Sequence, residues 1–242
     1  FGWDPVVLAV RPRHRPDWSD GSLLASLPAD VPVHYSDAVP LGFTRWFGIH
    51  NIGLRSLPFL SRDGLALLTR QKFDLVFFST TQYLVTPLGP TWKRDTGVPY
   101  VIDLQDPWRS DYYERPGAPS PPGGWKYQFA RFTAWMGEER SFRGAAGFIS
   151  VSHYYFEELR KRYPWFSSRL QTVIPFGAPQ ADFEHIKTHP ALVPIPLKPD
   201  GCMHWVAVGS LGPSFSHALR VLFAGLRRLR DSHPDLVARV RL

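Results

Sequence analysis

A single cysteine, Cys202, stands in 242 residues, so no disulfide can form within the chain. That suits a reducing compartment. No run of about 18 apolar residues occurs, which argues against a bilayer-spanning helix. The histidines form no H-E-x-x-H pattern and have no cysteine partner, so no zinc or other metal site is expected. The G-x-S-x-G elbow of α/β-hydrolases is missing. So are G-x-G-x-x-G and the Walker A loop. Lysine is scarce, and no block of five like charges appears, although the formal net charge is +7. With its arginines dispersed, the chain lacks the clustered basic face of a nucleic-acid module, and no nucleic-acid partner is expected. The positive balance leaves two readings: an anionic partner such as a nucleotide or phospholipid surface, or arginine merely decorating solvated faces.

What is present is a rhythm. Hydrophobic residues make up 44% of the chain and aromatics 14%, enough for a substantial core. Short apolar runs lie at 5–10, 31–35, 73–79, 99–104, 147–152, 171–176, 204–209 and 236–242. Helix-like stretches alternate with them near 82–95, 124–143, 153–163 and 216–231. Several runs are continuous rather than alternating, as in strands buried on both faces of a parallel sheet. The spacing predicts an α/β fold with a doubly wound, mostly parallel, Rossmann-like sheet. In "SHYYFEELRKRYP", Ser152 is a candidate N-cap, the glutamates come early, the arginines come late, and Pro164 closes the helix. Leu219, Leu222, Phe223, Leu226 and Leu229 repeat at helical spacing behind a possible cap at Ser216.

The segment 115–124 reads as a loop, and 185–201, with four prolines, as a linker. The expected division is one domain over 1–190 and the start of another over 191–242. The chain opens on "FGWDPVVLAV", a turn and a strand, and closes on "DLVARVRL", read as the beginning of a further strand. A domain rarely stops inside a strand, so a longer parent is expected at both ends. The helix near 124–143 carries Trp125, Tyr127, Phe129, Phe132, Trp135 and Phe142. It reads either as a membrane-facing or acceptor-facing surface, or more simply as an amphipathic core helix.

Open parallel sheets bind ligands beyond the carboxyl ends of their strands. The residues that follow the strands are therefore the candidates. Thr80 and Thr81 follow one run, and Asp103, Asp106, Trp108 and Arg109 follow the next. Ser152 follows a third, and Gly209, Ser210 and Gly212 a fourth. Hydroxyls, carboxylates, a ring that can stack on a sugar and an arginine that can meet phosphate suit a polyhydroxylated ligand. A glycine-containing turn before a helix lets backbone N–H groups approach phosphate oxygens.

Taken in order, these segments resemble a family. "KFDLVFFSTTQYLVTPLGPTWKRDTGVPYVIDLQDPW", "GFISVSHYYFEELRKRYP" with "QTVIPFGAPQADF", and "WVAVGSLGPSFSHALRVLFAGLRRL" resemble successive units of glycosyltransferase family 4, of the GT-B fold. "DLQDPW" is similar to a bacterial surface-polysaccharide subgroup. The resemblance implies retaining, metal-independent transfer of a hexose from a nucleotide sugar, with no other cofactor. The acceptor implied is a polysaccharide or lipid-linked glycan, and the place is the cytoplasm, peripherally at the inner face of the membrane. On this resemblance Asp106 and Asp103 are the catalytic candidates. Thr80, Thr81, Trp108, Arg109 and Ser152 fall on the acceptor side, and Gly209, Ser210 and Gly212 on the donor side. The chain departs from the pattern at Phe176, where asparagine is usual, and at Ser210, where arginine is usual. It also has no glutamate after Glu184 to match the family's paired glutamates, so these 242 residues are expected to be inactive alone and the transfer is expected of the full-length protein. A non-catalytic binding or scaffold protein of the same fold is the alternative.

Overall fold

The computed structural model describes residues 2–14, 28–118, 120–121, 123–189, 200–206 and 215–241. The chain divides into two units, Phe1–Asp182 and Phe183–Leu242.

In the first unit, β1 (Val7–Val10) pairs in parallel with β2 (Val33–Ser36). A one-turn helix α1 (Leu41–Thr44), a 3-10 turn (Arg45–Phe47) and the long helix α2 (Ile52–Arg70) follow. Then β3 (Val76–Ser79), β4 (Tyr100–Leu104), β5 (Gly147–Ser150) and β6 (Leu170–Val173) form a four-stranded parallel sheet in sequential order. The crossovers contain α3 (Leu88–Thr96), α4 (Trp125–Gly144) and α5 (His153–Arg162). This is the α/β parallel architecture expected from the apolar runs. It differs in one respect: among the described residues the parallel pairing is split into two sheets rather than one. Leu8 and Val10 of β1 nevertheless pack against the same core as Leu57, Leu65 and Leu68 of α2.

That core is strongly aromatic. Tyr100, Ile102 and Leu104 of β4 are buried with Phe142, Phe148, Phe156 and Phe166. Phe148 and Phe166 lie 4.7 Å apart between ring centroids. Tyr100 sits under the end of α4 and donates from its hydroxyl to the Ser141 carbonyl at 2.5 Å. Burial raises the pKa of that hydroxyl, so it stays protonated as a donor.

The ends of the helices follow local rules. Asn51 caps α2 by accepting from the Leu54 N–H at 3.1 Å. Gly97, at φ 78°, ends α3 in the left-handed region, with its N–H on the Lys93 carbonyl. Ser152 caps α5 by accepting from the Tyr154 N–H at 3.2 Å, and Pro164 follows the helix, both as the charge order predicts.

Two expectations need correction, and the sequence reading places no element where α2 lies; α2 is the first difference. Second, the segment read as a linker from residue 185 is helical at its start, within α6 (Gln180–Thr188). Third, the aromatics of α4 are not a core stripe. Phe142 is buried, but Trp125, Phe129, Phe132 and Trp135 are exposed, while Ala134, Glu138 and Ser141 face inward.

In the second unit, β7 (Met203–His204) pairs in parallel with β8 (Val240–Arg241), and α7 (Ser216–Ser232) and α8 (Pro234–Ala238) lie between them. Pro234 at the first helical position turns the start of the expected last strand into a helical turn. Phe215, not Ser216, occupies the N-cap of α7, with no side-chain cap. No helix among the described residues is long and apolar enough to cross a membrane.

Candidate functional site

Because β3, β4 and β5 are adjacent and parallel, the residues after them meet at one edge of the sheet. Register places Ser79 beside Asp103, and Leu104 beside Ser150. Thr80 and Thr81 after β3, Asp103 and Asp106 at the end of β4, and Ser152 after β5 therefore share the carboxyl edge. Gly209, Ser210 and Gly212 lie outside the described residues.

The two aspartates differ in what holds them. The Asp103 carboxylate accepts from the Gln105 amide at 2.8 Å and from the Ser79 hydroxyl at 3.3 Å. It is engaged with its neighbours. Asp106 is exposed, and its carboxylate makes no hydrogen bond or ion pair among the described residues. Its main chain, by contrast, is bracketed by one side chain. The Asp106 N–H donates to the Tyr83 hydroxyl at 3.2 Å, and that hydroxyl donates to the Asp106 carbonyl. Burial pushes the Tyr83 hydroxyl up to about 12, so it keeps its proton for this bond. A fixed backbone thus presents a free carboxylate at the strand tip. Burial raises the Tyr155 hydroxyl, and the Asp106 charge adds to that shift.

Trp108 and Arg109 are drawn inward. The Trp108 indole stacks on the Tyr83 ring at 5.6 Å and 16°, with Phe142 at 6.2 Å. Gly137 of α4 passes so close that a Cβ there would lie 2.6 Å from the indole. Arg109 donates to the Tyr163 hydroxyl at 3.3 Å and lies 4.0 Å from Glu138. Thr80 accepts from the Gln82 N–H at 2.9 Å, which shapes the turn after β3, and Thr81 is exposed. The Ser152 oxygen is occupied as the α5 cap. Ser152→Ala is expected to cost about 1 kcal/mol of stability, read as a shift in urea midpoint at unchanged slope.

Below the loop that follows β4 lies the residue sequence reasoning missed. Glu138 is 1% exposed. Its carboxylate accepts from Arg162 at 2.8 Å and from the Tyr163 hydroxyl at 3.0 Å. Burial pushes this carboxyl up, against the opposing pull of Arg162. The Tyr163 hydroxyl is pushed up to about 12 by burial and then by Glu138. Arg162 also reaches the Arg109 carbonyl at 3.4 Å and Asp111 at 3.5 Å. The group ties the loop to α4 and α5. The crevice between Trp108, Arg109, Glu138 and Tyr155 holds about 40 Å³, room for a few waters but not for a sugar ring. Glu138 shares its helical face with the buried Ala134, Ser141 and Phe142, and it is this packing, not the sequence, that marks it out from Glu139.

Three comparisons bear on this arrangement. No curated protein matches the chain. Among solved structures, the Anabaena protein Alr3699/HepE, in complex with UDP and glucose, is similar at 13% identity and a TM-score of 0.41, covering 98% of this chain and 68% of that one. A family model described as a glycosyl transferase 4-like domain matches residues 1–177, which take in the whole parallel sheet and every described candidate at its carboxyl edge. The chain belongs to the glycosyl transferase 4-like domain family.

Proposed function

We propose that this chain serves transfer of a hexose from a nucleotide sugar to a polysaccharide or lipid-linked acceptor, with retention at the anomeric carbon and without a metal ion. The observation that carries the reading is the unpaired Asp106 carboxylate, held on a fixed backbone at the carboxyl edge of the parallel sheet of a glycosyl transferase 4-like domain. The crevice beneath it is too small for a sugar. The acceptor therefore lies across the outer rim, against Thr81 and Asp106, where a hydroxyl can be oriented by the carboxylate. In this reading Asp103 sets the rim's shape through Ser79 and Gln105. Arg109 serves from its place beside Glu138, and Trp108 supports the loop and offers only an edge to the ligand. Gly209, Ser210 and Gly212 are assigned to the donor diphosphate on the family resemblance.

The test is release of nucleoside diphosphate from UDP- and GDP-hexoses, with and without glycan or lipid-linked acceptors, by a chain that carries the family's paired glutamates in addition to these residues. Acceptor-dependent release is expected, unaffected by EDTA, with a product that keeps the donor's anomeric configuration by NMR. Saturable nucleotide-sugar binding with no release under any acceptor would instead favour a non-catalytic binding protein. Absence of both would sink the proposal.

A further inference from the structure

The outward face of α4 is apolar where a surface helix should be polar. Trp125, Phe129, Phe132 and Met136 recur at spacings of four, three and four residues, which puts them on one stripe. All four are exposed, as is the adjacent Trp135. The opposite side of the helix carries the buried Ala134, Glu138 and Ser141. A second exposed group comes from α1 and the 3-10 turn: Phe43, Trp46 at 79% and Phe47 at 68%. The two groups adjoin, since a Cβ on Gly48 would lie 3.2 Å from the Trp125 ring. At roughly 150–250 Å² per aromatic, the combined face is on the order of 800 Å². The largest apolar patch of an ordinary monomer is about 300–600 Å².

The charges on these two segments that lack an ion-pair partner among the described residues are of one sign. Residues 41–50 and 125–144 contain Arg45, Lys126, Arg131, Arg140 and Arg143, against only Glu138 and Glu139. Glu138 is buried, and Glu139 is paired with Arg143. Arg131 is paired with Glu114. Arg45, Lys126 and Arg140 make no ion pair among the described residues. A second copy docked on the same face would bring these cations against their own kind. Anionic phosphates are their complement, and tryptophan rimmed by arginine and lysine is the composition of an interfacial surface.

We propose that the face built from residues 43–48 and the outward side of α4 seats this chain on an anionic lipid bilayer. The inference does not depend on sugar transfer, because it is read without turnover. The experiment is cosedimentation of the 242-residue chain with phosphatidylcholine vesicles, with and without phosphatidylglycerol, at low and high salt. Binding to the anionic vesicles is expected, about tenfold or more weaker on neutral ones, and reduced by salt. The combined substitution Trp46→Ser, Trp125→Ser and Phe132→Ser should lower partitioning at least about tenfold, with an unchanged far-UV circular dichroism spectrum. Lys126→Glu with Arg140→Glu, which leaves the aromatics in place, should abolish the preference for anionic lipid. No vesicle binding, or equal binding to both compositions, overturns the proposal. So does a dimer in light scattering that the serine substitutions dissociate, since a second copy would then be the occupant.

Discussion

Glu138→Ala is expected to destabilise the first unit by about 3–5 kcal/mol, because it takes the closest counter-charge from a buried guanidinium and leaves it only the half-exposed Asp111 carboxylate at 3.5 Å. Arg162 is only 14% exposed at its side chain and makes its shortest bond to Glu138. Arg109, 4.0 Å away, and the Tyr163 hydroxyl lose the same partner. Burial already raises the carboxyl, so the carboxylate persists only because these donors surround it. At roughly 2–4 °C per kcal/mol for a domain of this size, thermal unfolding should fall by about 10 °C. Glu138→Gln keeps an acceptor for Tyr163 and should lose less. The double substitution Glu138→Leu with Arg162→Met removes both charges and should recover most of the loss, which a double-mutant cycle would read as strong coupling. A loss below about 1 kcal/mol for Glu138→Ala would mean that water reaches Arg162 and that the pair is not what fastens the loop.

The reasons some of this was legible and some was not are physical. Continuous apolar runs ending in small polar residues located β3, β4 and β5, and their parallel order then placed the candidates on one edge. Burial or half-burial on both faces writes such runs in β4 and β5, whereas in β3 the run includes the exposed Phe77. The α2 helix was hidden because Gly53, Pro58 and Gly64 read as breakers. Both glycines are buried, and Gly64 is where the Trp92 ring presses against the helix, so the small residue records close packing rather than a turn. Arg55 is equally illegible from sequence. It looks like a surface charge, yet it is buried and donates to the Val39 and His14 carbonyls at 2.9 and 3.2 Å. Glu138 and Glu139 look alike in sequence, and only the packing of α4 separates the buried one from the exposed one. The aromatics of α4 carried the opposite error. Helical spacing shows that residues share a face but cannot say whether that face meets the core, and here the core is met by Ala134, Ser141 and Phe142 instead.

Asp106→Ala is expected to lower kcat/KM for sugar transfer by about 100-fold or more, the size of the penalty for losing a group that orients a reacting hydroxyl or handles its proton. The fold should not notice. The carboxylate has no protein partner among the described residues, so stability should stay within about 0.5 kcal/mol. The loop should also hold its shape, because Tyr83 grips Asp106 through main-chain atoms that the substitution leaves in place. Asp103→Asn provides the contrast. Its side chain is hydrogen-bonded to Ser79 and Gln105, and an amide can keep part of that arrangement, so its effect on rate should be smaller and its effect on stability larger. Tyr83→Phe separates position from chemistry. It leaves the Asp106 carboxylate intact but frees the backbone beneath it, and the ring can still stack on Trp108. A fall in kcat with thermal stability nearly unchanged would show that the carboxylate works only from a fixed place. If Asp106→Ala retained full activity while Asp103→Asn lost it, the roles given to the two aspartates would be reversed, and the rim would have to be read from the Ser79–Asp103–Gln105 cluster outward.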